Sequence, residues 1–194
     1  MTPNRARLVL AALLGLVLAG PRAGHAAGID DKVALCNACH GPNGVPVNPQ
    51  IPVIGGQNEG YLYLELRDFR LGNRKSTVMG PIAGTLEKPD MLALAAYFAA
   101  KPWPALGQPS AAAELAGRAE KAINAAVCQS CHLANWQGNG TTPRLGGQER
   151  GYLQATMTAF RDGTRANNPW MSALLKTYQA ADIEAMAAYL AGQP

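Results

Sequence analysis

The sequence predicts an all-α fold built from two tandem copies of one small domain, and three observations predict it. The pentapeptide Cys-x-x-Cys-His occurs twice, as Cys36-Asn37-Ala38-Cys39-His40 and Cys128-Gln129-Ser130-Cys131-His132. Behind each copy the same residues recur with only single-residue gaps. Pro52 falls on Pro143, Gly55-Gly56-Gln57 on Gly146-Gly147-Gln148, and Gly60-Tyr61-Leu62 on Gly151-Tyr152-Leu153. Phe69-Arg70-x-Gly72-x-Arg74 falls on Phe160-Arg161-x-Gly163-x-Arg165, and Asp90 and Tyr97 fall on Asp182 and Tyr189. Third, the apolar residues of each half recur at helical spacing, and no segment reads convincingly as a strand.

The elements follow in order. Arg5 and Arg7, the unbroken apolar run from Leu8 to Gly20, and the small residues flanking His25 form the layout of a secretory leader over 1–26. That apolar core is short for a membrane span. The first domain is expected over 27–101. A helix starting near Asp30 and Asp31 leads into Cys36, Tyr61 to Phe69 forms a second, and Lys88 to Ala99 closes the domain with Asp90 at its positive end. Residues 102–110 are a proline-rich linker, which ends the preceding helix and stiffens the connection. The second domain, 111–194, opens on the alanine-rich stretch Ala111 to Val127 with Ser110 as its N-cap. Tyr152 to Phe160 and Ala180 to Ala191 repeat the later helices, with Asp182 in the place of Asp90. The Gly-, Pro- and Asn-rich stretches 41–56 and 133–147 are loops.

Cys-x-x-Cys-His is the attachment signature of a c-type haem. Two thiols three positions apart each add to one vinyl group of a single haem, and the adjacent imidazole reaches the iron. All four cysteines are used by the two motifs, so none remains for a disulfide. A shared zinc site or a thioredoxin-like dithiol leaves the His after each pair unexplained. Two covalently attached haem c groups are therefore expected on Cys36, Cys39, Cys128 and Cys131. Such haems are attached outside the bacterial inner membrane, which agrees with a leader and gives a periplasmic location.

The second axial ligand follows by elimination. His25 leaves with the leader and the other two of the 3 histidines sit in the motifs, so a bis-histidine iron is not available within one chain. Methionine sulfur is the usual alternative. Met91, Met157 and Met186 correspond in the repeat to Ile183, Leu66 and Leu94, which marks them as core positions. Met79 and Met171 correspond to each other, each 39 residues beyond its motif histidine, in a segment read as irregular. They are the expected distal ligands, opposite His40 and His132.

Charge excludes other classes. The chain carries 17 basic and 13 acidic side chains for a formal +4, but Arg5, Arg7 and Arg22 leave with the leader and no acid does. Near-balance remains, and no basic stripe suggests nucleic acid. A dihaem peroxidase needs an open iron with an acid–base side chain above it, and no third mature histidine exists to serve.

The duplicated set as a whole, Cys-x-x-Cys-His, Gly-Gly-Gln-x-x-Gly-Tyr-Leu, Phe-Arg-x-Gly-x-Arg, a following Met and Asp-x-x-x-x-Ala-x-Tyr, resembles the dihaem cytochromes of the c-four type. The resemblance covers essentially the whole mature chain. It implies two class I cytochrome c domains related by a pseudo-twofold axis, with the haems approaching each other at the domain interface. It also implies a periplasmic electron carrier, often loosely membrane-associated. Its donor would be a quinol-oxidising complex or a dehydrogenase, and its acceptor a terminal oxidase. Similar chains serve as cytochrome subunits of periplasmic dehydrogenases. Within the resemblance, the Pro52 and Pro143 carbonyls accept the proximal imidazole Nδ1–H. Ile54 and Leu145 pack on the haem face, and the double glycines after them let backbone approach the ring.

The remaining candidates are plainer. Arg70, Arg74, Arg161 and Arg165 are read either as haem propionate partners or as solvated turns. Tyr61 and Tyr152 are packing residues with a hydroxyl anchor, and Trp103 fills the domain interface. Leu133 replaces Gly41 and Trp170 replaces Val78, so the two haems should be unequal. Bulky apolar groups keep water from an iron, which makes the second haem the expected higher-potential one.

Overall fold

In the computed structural model, which describes residues 28–194, two bundles of helices follow each other along the chain. The leader expected over 1–26 lies outside the described residues. The first bundle comprises α1 (Ile29–His40), α2 (Glu59–Leu71), α3 (Met79–Gly84) and α4 (Lys88–Ala99). The second comprises α5 (Ala113–Ala125), α6 (Gln129–His132), α7 (Arg150–Arg161), α8 (Pro169–Leu175) and α9 (Ala180–Ala191). Among the described residues the extended pairing amounts to an isolated bridge between Asn139 and Thr142. No described helix is long and apolar enough to cross a membrane.

Each bundle has its own core. The first is Val33, Leu62, Leu86, Met91, Leu94, Ala95 and Phe98; the second is built around Ile123, Trp136, Leu153, Met157, Phe160, Ile183, Met186 and Leu190. Where one half places Met91 and Leu94 on its closing helix, the other places Ile183 and Met186, and all four are buried. Such near-equal-volume exchanges keep a core filled. Another exchange is larger. Gly44 has no room for a side chain, since a Cβ there would meet Ile54 and Phe98. Its counterpart Trp136 is buried in the second core, where Leu190 takes the place of Phe98.

The closing helices start as expected, and each carries a reciprocal capping box, Glu87 with Asp90 and Gln179 with Asp182. The same aspartates reach the opening helices. Lys32 pairs with Asp90 at 2.5 Å and Arg118 with Asp182 at 2.8 Å.

Two expectations about the opening helices need correction. The second does not begin on Ser110 or run to Val127. Pro109 and Ser110 are drawn against Gly192 at the end of α9, so closely that a Cβ there would lie 2.9 Å from Ser110 Cα. The helix starts at Ala113 instead. It stops at Ala125 because Val127 has φ +51°, and the Cys-x-x-Cys-His segment continues as the separate turn α6.

The loop after each motif turns through left-handed backbone. Gly41 takes φ +73° and ψ 168°, a region that glycine occupies freely; Leu133 is held at φ +60° and ψ 173° in the same place. A side chain there costs about 1–3 kcal/mol. Leu133→Gly is therefore expected to stabilise the second domain by about 1 kcal/mol after the entropy of the added glycine is subtracted. Thermal unfolding of the holoprotein reads this, and a lower midpoint would contradict it.

Candidate functional site

Both motif histidines end a helix and point inward. His40 and His132 are buried, and His40 Nδ1 lies 3.0 Å from Pro52 O, His132 Nδ1 3.1 Å from Pro143 O. A carbonyl only accepts, so Nδ1 carries the proton and the Nε2 lone pair is left free. Burial pushes both imidazoles below their ordinary pKa, against the opposing pull of the proline carbonyls. Each ring is thus a neutral imidazole of fixed tautomer with a free Nε2. Cys36 and Cys128 are half-buried, with thiols pushed up by burial, while Cys39 and Cys131 are exposed.

The methionines do not sit in irregular chain. Met79 is the first residue of α3, and Met171 lies in the first turn of α8. Each backbone is held by a side chain three residues earlier: Met79 N–H donates to Ser76 Oγ at 3.0 Å, and Met171 N–H to Oδ1 of Asn168, the N-cap of α8, at 3.2 Å. The Asn168-Pro169 pair was the sequence signal for that helix start. Met171 borders the second core beside Cys128 and Leu145; Ile54 and Cys36 border the first, and Met79 is half-buried.

The double glycines serve the chain's own backbone. A Cβ on Gly56 would lie 2.6 Å from Trp103 N, and one on Gly146 would lie 3.0 Å from Pro194 O. Trp103 lies between the halves as expected, against Gly56 and with Arg144 stacked over its ring at 4.8 Å.

The rest of the Gly-Gly-Gln-x-x-Gly-Tyr-Leu motif builds the domain interface, a role that sequence reasoning missed. Gln57 reaches across to the backbone of Arg144, and Gln148 to that of Val53. Gly60 and Gly151 let each helix start approach the opposite loop, so that Tyr61 N–H donates to Gly140 O at 3.1 Å and Tyr152 N–H to Pro49 O at 3.0 Å. Orphan donors at both helix N-termini are thereby satisfied by the other domain.

Glu65 breaks this symmetry, because its counterpart in α7 is Thr156. Its carboxylate is buried between Arg74 and Arg165, at 2.5 Å from each. Arg74 also donates to Tyr152 Oη at 3.2 Å, Arg165 to Tyr61 Oη at 3.4 Å, and Asn167 to Asp68 at 2.9 Å. Burial works against ionising the Tyr152 hydroxyl, but Arg74 and Arg165 outweigh it and bring it down to about 8. Burial pushes Tyr61 above its ordinary value. At Asp68 burial is likewise outweighed, by hydrogen bonds from Asn167, Arg67 and Asn73, which hold its carboxyl below the usual range. Arg70 Nη2 pairs with Glu87 and Arg161 with Asp162 near the surface.

Trp170 and Leu133 lie outside the two protein cores, at 87% and 37% exposure. At the domain interface the halves differ at Glu65.

The donor set suits a covalently held haem. Two thiols flank a neutral, oriented imidazole in each half. In addition, Arg70 Nη1, Arg144 Nε, Arg165 Nη1 and Trp103 Nε1 are buried N–H donors without an acceptor, which is what the carboxylates of a haem require.

Two helical bundles, each with this site and related by a pseudo-twofold exchange of contacts, define a dihaem cytochrome made of two class I cytochrome c domains. Comparison with known proteins sharpens the class. Residues 115–190 match the family described as cytochrome C oxidase, cbb3-type, subunit III. Cytochrome c4 of Azotobacter vinelandii is 34% identical, over 97% of this chain and 99% of that protein. A thiosulfate dehydrogenase electron acceptor of Thiomonas intermedia is 36% identical, over 99% and 93%. The crystal structure of reduced cytochrome c4 from Pseudomonas stutzeri superposes with a TM-score of 0.77 at 31% identity, over 86% of this chain and 97% of that one. The chain belongs to the cytochrome c4 family. It carries two covalently bound haem c groups and is an electron-transfer protein, not an enzyme.

Proposed function

We propose that the mature chain is a periplasmic carrier that passes single electrons through two iron centres, His40/Met79 and His132/Met171, with Cys36, Cys39, Cys128 and Cys131 as the attachment points. The observation that carries this reading is the twofold occurrence of a buried, neutral motif histidine donating Nδ1–H to a proline carbonyl. Residues 27–101 and 111–194 would be the two haem domains, joined by 102–110 and exported by the leader 1–26.

The haems supply one-electron chemistry at the iron. His40, Met79, His132 and Met171 would hold the two irons. The Pro52 and Pro143 carbonyls orient the imidazoles and strengthen their donation, while Ser76 and Asn168 anchor the methionine backbones. With His40 and Met79 holding one haem and His132 and Met171 the other, neither iron would have a place for substrate. Methionine ligation and burial raise the potential. Such a carrier fits a quinol-oxidising complex as donor and a terminal oxidase as acceptor, with loose contact to the inner membrane surface.

A second reading keeps the chemistry and changes the partner. The similarity to thiosulfate dehydrogenase electron acceptors favours a cytochrome that serves a periplasmic dehydrogenase. Purification of the native protein from a periplasmic fraction tests both. A free carrier runs alone at the mass of one chain with two haem increments; co-purification with a larger catalytic subunit at constant stoichiometry would overturn that and establish the second reading.

A further inference from the structure

The two interfacial glutamines lie at the far end of hydrogen-bond chains that begin on the motif histidines of the opposite domain. In the first half, His40 Nδ1–H donates to Pro52 O at 3.0 Å. The N–H of that same peptide group, on Val53, donates to Gln148 Oε1 at 2.8 Å, and Gln148 Nε2 donates back to Val53 O at 2.9 Å. The second half repeats this in reverse. His132 Nδ1–H donates to Pro143 O at 3.1 Å, Arg144 N–H to Gln57 Oε1 at 2.7 Å, and Gln57 Nε2 to Arg144 O at 2.9 Å.

Both glutamines are built into place. Gln57 is 3% exposed and Gln148 2%. Each Oε1 takes a second hydrogen bond from the next backbone N–H, of Asn58 at 2.9 Å and of Glu149 at 2.8 Å, so the amide orientation is fixed. The partners are 87 and 95 residues away in sequence.

We propose that Gln57 and Gln148 are crossed positioning residues: each sets the electron donation of the axial histidine, and hence the reduction potential, in the domain to which it does not belong. The proposal rests on His40 and His132 being the proximal ligands. Its physics is the polarisation of one peptide group. When the amide N–H donates to a well-aligned oxygen, electron density moves onto the carbonyl oxygen at its other end, and successive bonds strengthen one another. A more basic Pro52 or Pro143 oxygen draws harder on Nδ1–H, and the ring donates more to the iron. Stronger donation favours the oxidised state and lowers the potential. Domain docking is thus built into the redox chemistry of both centres. Anything that loosens the interface raises both potentials together, while a change at one glutamine acts on the opposite centre alone.

The test uses the full-length holoprotein and a redox titration in which each centre is followed by its own haem methyl resonances. Gln148→Met, which keeps length and burial but removes both bonds, is expected to raise the midpoint of the His40 centre. The expected size is about fivefold in one-electron affinity, or about 40 mV at 59 mV per tenfold. The His132 centre should move by less than a quarter of that, and Gln57→Met should give the mirror result. Gln148→Glu, measured above the pKa of the introduced acid, keeps an acceptor opposite Val53 N–H. It should lower the His40 midpoint below the wild-type value, because a carboxylate accepts more strongly than an amide. Should the methionine variants not fold, the glutamate variants carry the same crossed test. Shifts confined to the glutamine's own domain, equal shifts of both centres, or no shift in a folded variant would each overturn the proposal. Loss of the His/Met charge-transfer band in the wild-type protein would instead overturn the ligand assignment beneath it.

Discussion

Glu65→Leu is expected to be among the most destabilising single substitutions in the chain, at about 3–5 kcal/mol. One carboxylate lies between two guanidinium groups that come from different domains. Removing it leaves Arg74 and Arg165 facing each other in a dry interface. Both guanidinium groups are largely buried, which leaves little access for water to replace the lost charge. The loss should be larger than that from any exposed pair, where about 0–1 kcal/mol is typical. Glu65→Gln keeps an acceptor and should lose less. Combining Glu65→Leu with Arg74→Met and Arg165→Met should recover much of the deficit, because it removes the unpaired charges with their partner. Urea unfolding of the oxidised holoprotein reads all three. A cost below about 1 kcal/mol for Glu65→Leu would show that the two arginines find other acceptors.

The second large effect concerns the irons. Replacing Met79 or Met171 with alanine is expected to lower the potential of that centre alone, by something on the order of 0.2 V within the roughly 0.8 V range that axial ligands span. About half of the weak red sulfur-to-iron charge-transfer band should disappear in each variant, and one of the two haems should begin to bind carbon monoxide. Each methionine sits in the first turn of a short helix rather than in a core helix, so the substitution should leave the surrounding bundle standing. If both single variants keep the full band, other residues hold the distal positions.

Much of this molecule was readable as sequence because its chemistry is local. Cys-x-x-Cys-His is five residues long, and a helix that follows a capping box with apolar residues at helical spacing needs no distant partner. Comparing the two halves separated core methionines from candidate ligands: Met91 and Met186 exchange with Ile183 and Leu94 across the repeat, whereas Met79 and Met171 do not exchange.

What escaped was non-local. Gln57, Gln148 and Glu65 carry no local signal of their interface role, because the partners that define it lie 87 to 100 residues away in the other domain. The double glycines also relieve crowding inside the chain, from the loop carbonyls of Asn43 and Asn135, from Trp103 of the linker and from the C-terminus, which their position in the sequence does not reveal. Ser110 had the right chemistry for a cap, but packing against Gly192 took it out of reach of the helix.

The central claim is that one chain holds two irons, each closed off by a histidine and a methionine. Near-infrared magnetic circular dichroism of the oxidised wild-type protein, calibrated against haem content and chain concentration, counts His/Met-ligated haems per chain directly. The expected count is two, with both centres low-spin and no high-spin signal near neutral pH. A count of one, or a high-spin population tied to either centre, would contradict a closed dihaem carrier and reopen the question of chemistry at an exposed iron.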